Sequence, residues 1–371
     1  MPLNFSLNTA LRALQTAARE VGTTGAQTHG RMNDSWINGY SKDFSRILAD
    51  RGWIGMTWPT EFGGANRPGI ERVIVAEQLI SAGAPIAASW IADRQMGPAI
   101  YRYGTPDQQA KFLPGMLTGE DTWCIGMSEP NAGSDLASLR TSARRVGDRF
   151  IVNGQKIWTS LAVDADYCYL IVRTDSSGPA HRGVSELIVP MSSPGIEIRP
   201  ITDLVGNRHF CEVWFTDVEV PSENLVGTEG DAFRQTMAQL EHERGGIDRL
   251  MSNRPLYEDA LRIADRTDPL VRQNIAGLET GYLLGRQMVY QAALGQAPAG
   301  ASTIIKCYCT EHEQRVADFC AGIFGMYAVT DPELSKAVAY APAYTIQGGT
   351  SNVMRNILGE RVLGLAREPR I

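Results

Sequence analysis

Apolar residues recur at two different periods along this chain, and the period changes twice. Up to about residue 120 the spacing is helical. Ser41 stands where it can cap a helix carrying Phe44, Ile47 and Leu48, with Gly52 just past its end. "IERVIVAEQLISAG" is a strongly apolar helix stopped by Gly83 and Pro85, and "PDQQAKFLPGMLTGE" is a further helix that Pro114 is expected to break. From about residue 121 the pattern alternates. "LRTSARRVGDRFIVNGQKIWTS" carries tight-turn signals at Gly147-Asp148 and Asn153-Gly154, and "DYCYLIVRT", "SELIVP", "IEIRPI" and "CEVWFTDVEVP" are short strands. After about Thr228 long amphipathic segments return. In "DAFRQTMAQLEHERGGIDRLM", Phe233, Met237, Leu240, Ile247 and Leu250 fall on one helical stripe.

The order helices, strands, helices predicts an α+β fold that is mostly α. It comprises an N-terminal helical domain (1–120), a middle antiparallel β-barrel or sandwich (121–227) and a C-terminal four-helix bundle (228–371). A Rossmann unit needs a Gly-rich turn between strand and helix, and no G-x-G-x-x-G stands at such a junction. Of the 371 residues, 43% are hydrophobic, enough for several substantial cores. The net charge of −6, without a basic block, argues against nucleic acid or an anionic membrane as partner. No run approaches the roughly 18 apolar residues that span a bilayer. The six cysteines form no CxxC pair and have no histidine at ligand spacing, so no metal is expected. They are read as reduced, buried or half-buried thiols of a cytoplasmic protein.

Three stretches in order, "MSEPNAGSD" (127–135), "VNGQKIWTS" (152–160) and "IQGGTSN" (346–352), resemble the flavin-site motifs of acyl-CoA dehydrogenases. The similarity extends through "YGTPDQQAKFLPGMLTGE" and "HFCEVWFTDVEVPSENLVG" and runs over essentially the whole chain. It implies α,β-dehydrogenation of an acyl-CoA thioester with FAD as cofactor. By the resemblance, Ile125, Met127 and Ser128 border the flavin ring, and Gly133 and Ser134 turn backbone N–H groups toward phosphates, with Ser134 also near the substrate. Trp158, Thr159 and Ser160 would stand against the ring, and Thr350 and Asn352 against its ribityl-pyrophosphate arm. A packed core position among the strands is the alternative place for Trp158.

Many relatives carry the catalytic base as a Glu immediately before "GT" in the last motif, where this chain has Gly348. A second group carries it as the Glu of a Glu-Arg pair on the first long helix of the C-terminal part, which "LEHERGG" matches at Glu243 and Arg244. The resemblance thus makes Glu243 the base, gives Arg244 a role in steering it or contacting CoA, and gives the N–H of Gly348 to the thioester carbonyl. Gly348, Gly245 and Gly246 leave room for a branched or bulky acyl group, such as a sterol side chain. Two further motifs of the family's homotetramers, which bind the adenine half of FAD in a neighbour, are replaced by "ADRTDPLVRQN" and "GIFGMYAVTDP". A hetero-oligomer with a related subunit is therefore expected, a homotetramer being the alternative, with an electron-transfer flavoprotein as acceptor. The competing functions are an acyl-CoA oxidase and a non-catalytic subunit that completes a partner's site.

Overall fold

The computed structural model describes residues 7–367, with the side chains of residues 240–243 outside that description. The helices are α1 (Thr9–His29), α2 (Lys42–Asp50), α3 (Gly69–Ala82), α4 (Ala87–Ile91), α5 (Gly97–Tyr103), α6 (Pro106–Leu117), α7 (Phe233–Arg244) and α8 (Asp248–Met251). They continue with α9 (Arg254–Ile263), α10 (Pro269–Ala293), α11 (Ala301–Phe324), α12 (Tyr327–Thr330), α13 (Pro332–Tyr340) and α14 (Ser351–Ile357). Between α6 and α7 lie β1 (Trp123–Gly126), β2 (Ser142–Val146), β3 (Arg149–Lys156), β4 (Tyr167–Arg173), β5 (Val184–Pro190), β6 (Ile196–Ile201), β7 (Phe210–Pro221) and β8 (Leu225–Val226). The chain divides into two compact units. One holds residues 1–44, 65–86 and 244–371, and the other holds 45–64 and 87–243.

In the helical unit, Ser41 accepts the Phe44 N–H at 3.1 Å, the expected cap of α2. Phe44 and Leu48 are buried, while Ile47 of the same helix is exposed. A Cβ on Gly25 would stand 2.2 Å from the Phe44 ring, so that ring seats on α1 only because residue 25 has no side chain. Gly22 likewise lets α1 approach the backbone of α3. α3 ends where the sequence indicates, at Gly83 with φ 75°. The two longest helices, α10 and α11, pack together; Gly281 leaves the space filled by the buried His312 ring.

In the strand-rich unit the sheet runs β6-β7-β3-β2-β4-β5-β8, with β1 pairing β4. Its ladder has two ends, β6 and β8, and does not close into a hydrogen-bonded barrel. Most pairs are antiparallel, but β1–β4 and the short β2–β4 contact are parallel. β4 and β5 are neighbours in that order and are buried along almost their whole length, including the polar pair Ser185-Glu186 of β5. Gly147 and Asp148 form the expected two-residue turn, with Val146 opposite Arg149 and φ 62° at Gly147.

Three local expectations are corrected. Asn153-Gly154 is no turn: β3 runs through it, and the register against β7 shifts between Val152 and Gly154. Asn153 and Asp217 exchange two hydrogen bonds of 2.9 Å across that bulge, and Thr141 packs where a residue-154 side chain would stand. α6 continues through Pro114 to Leu117, with the capping box of Thr105 and Gln108 fixing its start. The stripe from Phe233 to Leu250 does not lie on one helix. α7 ends at Arg244, and Gly245-Gly246 separates it from α8; Ile247, which precedes α8, and Leu250 within it are buried.

Candidate active site

Within the strand-rich unit, two of the motifs are fastened to each other by a buried ion pair. Lys156 Nζ, at the end of β3, donates to Glu129 Oε1 at 2.8 Å and to the Met127 carbonyl at 3.1 Å. Glu129 also accepts the N–H groups of Arg140 and Thr141 at 2.7 and 2.8 Å. Burial alone would push the Glu129 carboxyl up, but the Lys156 ammonium and these donors hold it below the usual carboxylate range. Burial lowers Lys156 in turn, with Glu129 opposing. The Ile157 N–H donates to the Ser128 carbonyl at 2.9 Å, completing the junction. The Met127-Ser128 segment and the segment entering Trp158 are therefore one piece.

Trp158 emerges from that piece in a conformation unusual for a bulky residue, φ 60°, and its side chain is 54% exposed. It is not a core residue, which removes the alternative reading. Its only ring contact among the described residues is with Phe210, roughly perpendicular to it at 5.7 Å between centroids. A large indole held strained and half in water presents a surface for a flat aromatic ligand. Ile125, Met127, Ser128 and Ser160 are half-buried, and Gly133 and Ser134 are exposed. Thr159 differs: its side chain is turned into the interior, and its N–H donates to the Cys211 carbonyl.

The same unit holds a groove lined on one side by Arg94, Gln95, Ala99, Arg102 and Tyr103 and on the other by Ala238 and Gln239 of α7. Residues 92–96 form a π-helical turn between α4 and α5, a distortion that recurs at functional sites. Arg94 is buried and lies over the Trp90 ring at 5.3 Å.

In the helical unit, Gly348 and Gly349 form a loop with φ 68° and 96° before α14. A glutamate at 348 would be strained in that conformation. Arg244 Nε donates to the Gly348 carbonyl at 3.2 Å, and Met354 fills the space beside Gly349. Thr350 is the N-cap of α14, its hydroxyl accepting the Val353 N–H at 3.2 Å, and Asn352 is exposed on the first turn. Glu243 is the penultimate residue of α7, and its side chain lies outside the described residues.

Several buried or groove-lining polar residues of the strand-rich unit were not singled out from sequence: Glu129, Lys156, Tyr169, Glu186, Thr236 and Gln239. A signal was available for one of them. Glu186 is the only charged residue in the largely apolar "VSELIVP" strand.

Three family models match in succession: the N-terminal domain of acyl-CoA dehydrogenase over residues 8–120, the middle domain over 124–218 and the C-terminal domain over 230–363. The acyl-CoA dehydrogenase IpdE1 of Mycobacterium tuberculosis is 36% identical over 344 residues, covering 88% of each chain. FadE26 of the same organism is 33% identical, covering 90% of each. Among solved structures, the Tcur3481-Tcur3483 steroid ACAD superposes with a TM-score of 0.90 at 28% identity, covering 99% of this chain and 100% of that one. The ChsE4-ChsE5 complex from Mycobacterium tuberculosis does so with a TM-score of 0.86, also at 28% identity, covering 99% and 100%. With the motifs mounted as described and all three domain models matched in order, this chain belongs to the acyl-CoA dehydrogenase family.

Proposed function

We propose that this chain dehydrogenates a branched or bulky acyl-CoA at its α,β bond, with Glu243 as the base and FAD as the cofactor. The observation that carries this reading is the Arg244 Nε–H···O=C Gly348 bond of 3.2 Å. It ties the residue next to the assigned base to the loop whose N–H is assigned to the thioester. Negative charge develops on that carbonyl as the α-proton leaves, so a fixed N–H donor lowers the barrier. Arg244, by holding the carbonyl of the same glycine, fixes the direction in which the loop faces. The left-handed φ of Gly348 also supports a base placed elsewhere than at 348.

The residues proposed to hold FAD are Ile125, Met127, Ser128, Gly133, Ser134, Trp158, Thr159, Ser160, Thr350 and Asn352. The exposed Trp158 fits a flat ring, and the Glu129–Lys156 pair fixes its support. Thr159 would contribute backbone only. The chemistry supplied by bound FAD is acceptance of the hydride from the β-carbon. Glu243→Gln is expected to lower kcat by about 10³-fold with KM little changed, the loss of a general base. Isovaleryl-CoA and a steroid-side-chain CoA thioester serve as probes, with a dye as electron acceptor. Retained turnover in the variant would remove Glu243 from the role.

We also propose a hetero-oligomer with a related subunit, with electrons passing to an electron-transfer flavoprotein. Met326, Tyr327 and Val329 are exposed by 75, 70 and 74%, an apolar group of the kind a subunit interface covers. Co-expression with a related chain from the same genome should give a complex by light scattering; full flavin loading of the chain alone would overturn this.

A further inference from the structure

Beyond the assigned site, the strand-rich unit buries another carboxylate with no part in the chemistry so far. Glu186 sits on β5, paired in register with Ile171 of β4 and Val226 of β8, and is 0% exposed. Four neutral donors from β4 and α7 converge on it. Thr236 Oγ1 donates to Oε1 at 2.6 Å and Tyr169 Oη to Oε2 at 2.7 Å. Gln235 Nε2 reaches Oε2 at 3.0 Å, and Gln239 Nε2 lies 3.4 Å from both Oε1 and the Tyr169 oxygen.

An apolar side chain would fill this position at lower cost, since a buried charge must be fully compensated. Phe233 and Met237 of α7 pack against the apolar core, but apolar packing tolerates scatter in how a helix is set, whereas directional bonds to positions 235, 236 and 239 narrow it. The neighbouring backbone is shaped for the arrangement. Gly227, with φ 74°, leaves open the space into which the Gln235 amide extends; a Cβ there would stand 2.3 Å from it. Gln239 is also one of the two α7 residues lining the groove, and it precedes Glu243 by four positions, about one turn.

We propose that Glu186 is a positioning residue that locks the first two turns of α7 onto the sheet, and so sets the angle at which that helix carries Gln239 into the groove and Glu243 to its work. The second half of this statement rests on Glu243 being the base; the first half does not.

The test compares Glu186→Leu with Glu186→Gln in the purified full-length chain by amide hydrogen exchange. Glutamine keeps the three shorter contacts, and Gln239 retains the Tyr169 oxygen at 3.4 Å as its acceptor. The introduced amide oxygen accepts from Tyr169 and Gln235, and the amide nitrogen donates to Thr236, whose hydroxyl has the Ala232 carbonyl at 3.1 Å as an alternative acceptor. Leucine offers nothing to the four donors. In Glu186→Leu, amides of residues 233–243 should exchange at least about tenfold faster while those of β4 stay within about threefold; in Glu186→Gln both should stay within about threefold. With flavin-loaded enzyme and isovaleryl-CoA as probe, kcat of the Leu variant should fall by at least about tenfold with KM nearly constant, and the Gln variant should restore it. Unchanged exchange in α7, or equal acceleration of α7 and β4, would overturn the proposal, as would equal loss of kcat in both variants. Glu243→Gln, assayed in parallel, separates the two readings: activity in that variant refutes the base, while the exchange contrast still decides Glu186. If the probe is not turned over, the exchange contrast alone decides.

Discussion

Glu129 and Glu186 are both taken out of water in the strand-rich unit, and they are held by opposite chemistry. Glu129 has a cation, Lys156, and two backbone donors; Glu186 has only hydroxyls and amides. The cation keeps Glu129 below the usual carboxylate range, whereas burial pushes Glu186 up to about 7 against the pull of Thr236, Tyr169 and Gln235. The first arrangement joins two chain segments through a charge-assisted hydrogen-bonded pair. The second trades stability for fixed angles. One suits a rigid platform under Trp158, and the other suits the registration of a helix.

The largest expected effect comes from breaking the first arrangement. Lys156→Met leaves Glu129 buried without its counter-charge and should cost about 3–5 kcal/mol in urea denaturation. A loss below about 1 kcal/mol would mean that water compensates Glu129 and that the platform is not held by this pair.

The contrast is next sharpened by pH. Below about 4.5 Glu186 is protonated in both folded and unfolded chains, so it contributes nothing to the pH dependence. As pH rises from there to about 7, the unfolded chain releases a proton that the folded chain keeps, so stability falls; above about 7 the full cost is present. Glu186→Gln lacks this titration. The stability of the natural chain relative to that variant should therefore drop by about 3 kcal/mol between pH 4.5 and 8. Glu129 has the opposite sign: its contribution is present above its unfolded pKa and is lost as pH falls through its lowered folded one. Parallel denaturation of the natural chain and Glu186→Gln at pH 4.5 and 8 checks the first sign; the second is checked against Lys156→Met in a series carried below pH 4.5, where the advantage of the natural chain should shrink.

The smallest effect on stability is expected at Trp158. Trp158→Gly relieves a left-handed conformation but loses the Phe210 contact, for a net change under about 1 kcal/mol. Its FAD dissociation constant, read by flavin fluorescence, should rise by at least about tenfold, about 1.4 kcal/mol. Unchanged FAD affinity would detach the indole from the flavin.

Much of the fold was legible because it follows from local rules. The Ser41 cap, the Gly83 stop and the Gly147-Asp148 turn each need only the residues around them. The misreadings share a different cause. Asn153-Gly154 has the composition of a turn, yet Asp217 and Thr141, distant in sequence, make a bulge of it. The Phe233–Leu250 stripe has an unbroken period, yet it is divided where Gly245-Gly246 ends α7. At the site, the motifs marked where flavin chemistry would be sought, but not what holds them. Glu129 and Lys156 look like solvated charges in a turn and on a strand end until the fold buries both.

The sequence by itself determined the class of the molecule: the period changes, the punctuation by Gly and Pro, and the three motifs that identify the family. Tertiary structure alone decided the states of individual side chains. Burial of Glu186 among donors from β4 and α7, the ion pair under Trp158, the exposure of its indole and the bond from Arg244 to Gly348 all join residues far apart along the chain. Periodicity is a property of neighbours along the backbone. Desolvation and hydrogen-bond geometry depend on which distant segments meet, and these set whether a carboxylate is a surface charge, a clamp or a base.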